Sequence, residues 1–125
     1  MTVLLTGGSG FIGSHMAAEL MSQRIKFVVI DNLSNSDTSN LARLEKHYRQ
    51  KVDFYPYDIR DERMLRSVFL QHHIDSIIHF AALKSVPESV RKPQLYHDNN
   101  VGGSKTLMAM AKEFHVKNSV IHLLC

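Results

Sequence analysis

The segment Thr6-Gly7-Gly8-Ser9-Gly10-Phe11-Ile12-Gly13 constrains this chain more than any other. It follows the short apolar run Val3-Leu4-Leu5. It precedes Phe11, Ile12, Met16, Ala17 and Leu20, apolar positions at helical spacing. Glycines at 7, 10 and 13 between a strand and a helix have distinct physical uses. Gly7 allows a sharp turn out of the strand. Gly10 lets a pyrophosphate approach the backbone, and Gly13 lets the helix lie close to the sheet. The helix N-terminus then offers free N–H groups and a partial positive charge to phosphate oxygens. The alternative is a tight turn with no ligand.

The rest of the chain keeps alternating between two periods. Phe27-Val28-Val29-Ile30 reads as a second strand, ended by Asp31-Asn32. Leu41, Leu44, Glu45 and Tyr48 fit a second helix, and Val52, Phe54 and Tyr57 suggest a third strand. Met64, Leu65, Val68 and Phe69 share one face of a third helix, with Asp61 placed to cap it. Ile77-Ile78-His79-Phe80 is a fourth strand, residues 93–114 a fourth helix, and residues 120–124 a fifth strand. Alternation of this kind predicts an α/β fold, a Rossmann-type doubly wound parallel sheet that is incomplete at its fifth strand. Continuous apolar strands fit a sheet covered on both faces. With 125 residues the expectation is one domain, spanning 1–125. The longest irregular stretches, about 32–38 and 81–92, follow the carboxyl ends of strands, where open α/β sheets bind ligands.

Composition removes other classes. Apolar residues at 44% and charged residues at 22% are ordinary for a globular domain. No apolar run is long enough to cross a bilayer, and no basic-then-apolar leader opens the chain, so no membrane partner is expected. The single cysteine, Cys125, excludes an internal disulfide and points to a reducing cytoplasm. The net charge is +3, but its basic residues alternate with acids, as in Asp58-Ile59-Arg60-Asp61-Glu62-Arg63. That reads as a solvated surface, with no nucleic-acid partner.

Two acids follow strands. Asp31 ends the second, where a carboxylate accepts from a ribose 2′-hydroxyl and repels a 2′-phosphate. NAD rather than NADP is therefore the expected cofactor; a simple turn acid is the alternative. Asp58-Ile59 follow the third strand, at the height expected for an adenine ring. Asp58 would accept from the exocyclic amine and Ile59 would pack on the ring face; Asp58 equally fits a cap on the next helix. His79 lies in a buried strand and reads as a hydrogen-bonded core residue. His72-His73 close a helix, where cations favour the dipole. No histidine pair has metal-ligand spacing in an acidic setting, so no metal is expected.

These motifs resemble the extended short-chain dehydrogenase/reductase superfamily, and within it the UDP-glucose 4-epimerase family. Residues 6–15, 31–36, 58–60, 78–84, 86–90 and 92–103 carry the resemblance, which covers the chain to about residue 118. Leu83-Lys84 with Glu88-Ser89, and Lys92-Pro93 with Asn99-Asn100, are more similar to an epimerase than to a dehydratase or decarboxylase. The resemblance implies Phe11 and Ile12 at the pyrophosphate. It implies Asp31, Asn32, Leu33, Ser34, Asn35 and Ser36 at the adenosine ribose, and Asp58 and Ile59 at the adenine. Phe80, Ala81, Ala82, Leu83 and Lys84 would line the nicotinamide side, with Asn99 also touching NAD. An ammonium at Lys84 suits a ribose hydroxyl or phosphate; a surface lysine and a structural asparagine are the bland alternatives for Lys84 and Asn99. Gly102-Gly103 depart from the family, which has one glycine there. Gly103 would permit close packing, and the second glycine costs the helix about 1 kcal/mol.

The family activity interconverts UDP-glucose and UDP-galactose by transient NAD-dependent oxidation at C4, as part of galactose metabolism. It uses a tyrosine base followed four residues later by a lysine. No tyrosine here has that lysine: Tyr48, Tyr55, Tyr57 and Tyr96 are followed by Val52, Ile59, Asp61 and Asn100. No catalytic residue is therefore assigned. The expectation is the NAD-binding half of such an enzyme, inactive alone and binding UDP-sugar only if the other half is supplied. The alternative is a stand-alone NAD-binding or partner-binding module without turnover. The resemblance also implies a homodimer through helices near residues 90–115. The last residues suggest a shifted reading frame: if Ile121 to Leu124 are encoded by ATT CAT CTT CTT, reading from the third base gives three serines, as in the family strand; a divergent strand in a short protein is the alternative. A short fifth strand would leave an open edge, with marginal stability and a tendency to associate.

Overall fold

Strand side chains alternate across the sheet, and this separates two cores. In the computed structural model, which describes residues 1–7, 11–32, 38–80 and 103–121, β1 (Thr2–Thr6) is buried along its whole length. Parallel to it lie β2 (Lys26–Ile30) on one side and β4 (Ser76–His79) on the other. β3 (Asp53–Tyr55) pairs with β2, and β5 (Asn118–Ile121) pairs with β4 along the whole of that strand. The order is β3-β2-β1-β4-β5, all parallel, so chain progression reverses between β1 and β4.

Leu4, Val28, Ile30 and Ile77 face one side and meet Leu65, Val68 and Phe69 of α3 (Glu62–Gln71) with Leu107, Met110 and Ala111 of α4 (Gly103–Glu113). Val3, Leu5, Phe27 and Val29 face the other. They meet Ala17, Leu20 and Met21 of α1 (Phe11–Ser22) and Leu41 of α2 (Ser39–Tyr48). Each helix thus spends an i, i+3, i+4 stripe on the sheet, and the strands read as unbroken apolar runs because both faces are covered. This is the expected α/β Rossmann-type doubly wound sheet.

Strand bounds depart from the sequence pattern most at β3 and at β5, which starts at Asn118 rather than at residue 120, with residues 122–124 outside the described residues. β3 holds only Asp53–Tyr55, without Val52 or Tyr57. The Val52 N–H is taken by the Glu45 carboxylate at 2.8 Å, Pro56 has no N–H for the ladder, and the Tyr57 N–H folds back on the Tyr55 carbonyl at 2.9 Å. α4 is described from Gly103; residues 93–102, expected to be helical, lie outside the described residues. Asp61 caps α3 as expected, accepting from the Met64 N–H at 3.3 Å. His72 and His73 follow that helix: His72 meets the Tyr55 hydroxyl at 2.9 Å, and His73 lies 3.4 Å from the Asp75 carboxylate. Among the described residues no helix is long and apolar enough to cross a membrane.

Candidate functional site

The strand register brings the sequence-predicted residues to one edge. Thr6 lies beside both Ile30 and His79, and Ile30 lies beside Tyr55. Gly7, Asp31, Phe80 and the turn after Tyr55 therefore leave the sheet at the same, carboxyl end. Each leaving residue is sewn to a neighbouring strand's last carbonyl. The Gly7 N–H donates to Ile30 at 2.8 Å, Asp31 to Tyr55 at 3.2 Å, and Phe80 to Thr6 at 2.8 Å. The strand order reverses between β1 and β4 at this edge, which is the usual ligand position in open parallel sheets.

Gly7 is buried and turns with φ of 75°, a conformation that side-chain-bearing residues rarely adopt. α1 starts at Phe11, and no acidic residue stands in its first turn to occupy the helix's positive end. Gly13 is buried in that turn, while Ile12 is 39% exposed, unusual for an isoleucine beside a core. Asp31 is 7% exposed at the end of β2, and Asn32 next to it is exposed.

Beyond β3, Asp58 is held in a fork. Arg60 reaches its carboxylate through Nη2 at 2.7 Å and Nε at 3.1 Å, and its backbone N–H donates at 2.8 Å. Those hydrogen bonds hold the Asp58 carboxyl below the usual carboxylate range against the opposing effect of burial, and the Asn32 amide adds to them. Asp58 is thus not the helix cap; Asp61 is. Ile59 sits in the core at 4% exposure, so its side chain is engaged with the protein. It packs so tightly under α4 that a Cβ on Gly103 would lie 2.6 Å from Ile59 Cδ1. The close packing expected of Gly103 is therefore present, and the turn at 58–60 is its partner.

The Phe80 ring is buried in the core on the α1–α2 face. His79 is wholly buried, its Nδ1 meeting the Thr6 hydroxyl, as a core histidine should. Gly10, Leu33, Ser34, Asn35, Ser36, Ala81, Ala82, Leu83, Lys84 and Asn99 lie outside the described residues, as does the side chain of Phe11. Among the described residues no three His, Cys, Asp or Glu side chains gather where a metal ion would sit. The sequence pattern hid Arg60. The run from Asp58 to Arg63 reads as solvated charge, yet the i, i+2 spacing of Asp58 and Arg60 is the signal of the fork.

Comparisons with known proteins agree with this geometry. The family model described as GDP-mannose 4,6 dehydratase matches residues 4–124. UDP-glucose 4-epimerase of Yersinia enterocolitica is 52% identical over 86% of this chain and 32% of that protein. The bifunctional protein GAL10 of Candida maltosa is 48% identical over 94% of this chain and 77% of that protein. Among solved structures, UDP-glucose 4-epimerase from Bifidobacterium longum in complex with NAD+ and UDP superposes with a TM-score of 0.93. It is 40% identical and covers 97% of this chain and 36% of that one. The chain spans about a third of the length of the first bacterial epimerases it matches. A left-handed glycine turn on a parallel sheet is shared by many folds, but joined to identities near one half it leaves one assignment: the chain belongs to the GDP-mannose 4,6 dehydratase family, alongside its UDP-glucose 4-epimerases.

Proposed function

We propose that this chain is the NAD-binding part of a UDP-glucose 4-epimerase, and that it binds NAD across the carboxyl edge of its sheet. The observation that carries this is the left-handed turn at buried Gly7, with an acid-free helix start after it and buried Asp31 on the neighbouring strand end. Gly7, Gly10, Phe11, Ile12 and Gly13 would hold the pyrophosphate. Asp31, Asn32, Leu33, Ser34, Asn35 and Ser36 would hold the adenosine ribose, and Asp58 the adenine, with only the backbone of Ile59 beside it because its side chain is buried under α4. Phe80, Ala81, Ala82, Leu83, Lys84 and Asn99 would line the nicotinamide side. Bound NAD would supply the hydride acceptor for oxidation at the sugar C4.

The site belongs to the interconversion of UDP-glucose and UDP-galactose in galactose metabolism, in the cytoplasm. The chain's tyrosines lack the lysine four residues on, so these residues bind cofactor without turning over UDP-sugar by themselves. That same lack favours the second reading, a binding module without turnover. Pairing of two copies through helices near residues 90–115 belongs to the epimerase reading. Calorimetric titration tests the proposal. NAD should bind, and NADP should bind at least about tenfold more weakly, because Asp31 meets a 2′-phosphate with like charge. Equal binding of both, or of neither, contradicts it.

A further inference from the structure

We propose that Arg60 is a positioning residue for base recognition: through Asp58 it makes the site prefer a purine bearing an exocyclic amine over one bearing an oxo group there. The inference rests on the dinucleotide-binding role proposed above and deepens it.

Asp58 stands at the carboxyl edge just beyond β3, next to the strand end that carries Asp31. Its carboxylate is engaged by Arg60 on both oxygens. The guanidinium of Arg60 grips it through Nε and Nη2, and the Arg60 backbone N–H adds a third donor within 2.8 Å. A planar fork of this kind fixes both the rotamer and the ionised state of a carboxylate. The turn that carries the pair is itself pinned. Ile59 is buried beneath Gly103 of α4, and the Arg60 stem passes 3.7 Å from where a Cβ on Gly103 would stand.

An ionised carboxylate only accepts hydrogen bonds. It rewards an amine, which donates, and opposes an oxo group, which presents another lone pair. Arg60 donates to both oxygens of Asp58, its backbone N–H and Nε to Oδ1 and its Nε and Nη2 to Oδ2, which leaves the carboxylate's remaining lone pairs for other donors. Among the described residues the amide of Asn32, which is neutral and exposed, also donates to it. It is the donor an incoming amine would displace. Without Arg60 the carboxylate loses its fixed rotamer, and the distinction between the two bases fades.

The test titrates NAD and nicotinamide hypoxanthine dinucleotide, in which the amine is replaced by oxo, into the 125-residue chain and its Arg60→Met and Arg60→Lys variants. Thermal melting checks that each variant is folded. The unsubstituted chain should bind NAD about tenfold more tightly than the hypoxanthine analogue. In Arg60→Met the two affinities should converge to within about twofold, chiefly through loss of NAD affinity. Arg60→Lys keeps the charge but not the fork and should fall between. If Arg60→Met weakens both dinucleotides equally and keeps their ratio, Arg60 is only a brace for the turn and the proposal fails. Should that variant not fold, an unchanged ratio in Arg60→Lys overturns it just as directly. A chain that binds both dinucleotides equally well removes the base preference while leaving the dinucleotide role intact. A chain that binds neither removes both.

Discussion

Thr6 and His79 meet inside the sheet at the last register position of β1 and β4, at its carboxyl edge. Both are wholly buried. Thr6 also anchors the edge through its carbonyl, which accepts from the Phe80 N–H at 2.8 Å, and it leads directly into the left-handed Gly7. Thr6→Val keeps the shape and removes the hydroxyl that His79 Nδ1 meets. We expect it to destabilise the chain by about 1–3 kcal/mol, the effect of a lost buried hydrogen-bond partner, while Thr6→Ser should retain most of the stability. Urea unfolding of both variants checks this, and equal midpoints for the two would deny the hydroxyl any role. His79 was recognisable from sequence as a core histidine. Its partner was not, because the two lie 73 residues apart and only strand register joins them.

At the scale of elements, three helices end in the same unusual way. Arg24, Arg49 and His115 have φ of 57°, 52° and 57°, although none is glycine. After each, an N–H reaches back to the last turn: Ile25 to Leu20 at 2.9 Å, Gln50 to Glu45 at 3.2 Å, and Val116 to Ala111 at 2.9 Å. This closes the helix and aims the chain at the next strand. Sequence signals for such closures rest on glycine, so these ends were invisible in advance. Arg49→Gly should relieve the left-handed strain and stabilise the chain by about 0.5–1 kcal/mol, read as a higher urea midpoint. The opposite sign is expected at Gly103. A methyl there meets buried Ile59 Cδ1 at 2.6 Å, so repacking outweighs the gain in helix propensity. Gly103→Ala should destabilise by about 1–2 kcal/mol, and the loss should shrink when Ile59→Ala removes both Cδ1 and Cγ1, the carbons a Cβ would meet at 2.6 and 2.7 Å. Additive effects of the two substitutions would exclude the contact as the cause. The notion of Gly103 as a close-packing position came from sequence; its partner in the 58–60 turn came only from the fold.

For the whole molecule, acid is the revealing perturbation. Asp75 clasps the amino end of the sheet: its carboxylate accepts from the Thr2 N–H at 2.7 Å, and its carbonyl accepts from Lys117 and Asn118. The Thr2 hydrogen bond holds the Asp75 carboxyl below its ordinary value, as the Arg60 fork does for Asp58 at the opposite edge. Carboxyls lowered in the folded state leave the unfolded chain binding more protons once pH falls into their range. Their stabilisation is complete above the unfolded pKa of about 4 and is lost as pH drops below it towards the folded values. Thermal midpoints should therefore stay level from about pH 7 to 5 with respect to these groups and fall below about 4. Asp58→Asn should blunt that fall, and a profile identical to the unsubstituted chain would remove Asp58 from the account. Sequence by itself determined the alternation of strands and helices, the two-faced burial of the sheet and the glycine turn, because each is written in local periodicity or in a single residue's backbone freedom. Local chemistry outside the periodic pattern decided that β3 stops before Pro56 and that Arg60 grips Asp58, while tertiary structure alone decided that Ile59 lies under Gly103 and that Thr6 meets His79. The β3 end turned on which N–H groups the ladder still had, and Asp58 had a helix to cap as readily as an arginine to hold. The other two contacts join residues distant in the chain, and only the parallel register and the packing of α4 bring them within bonding distance.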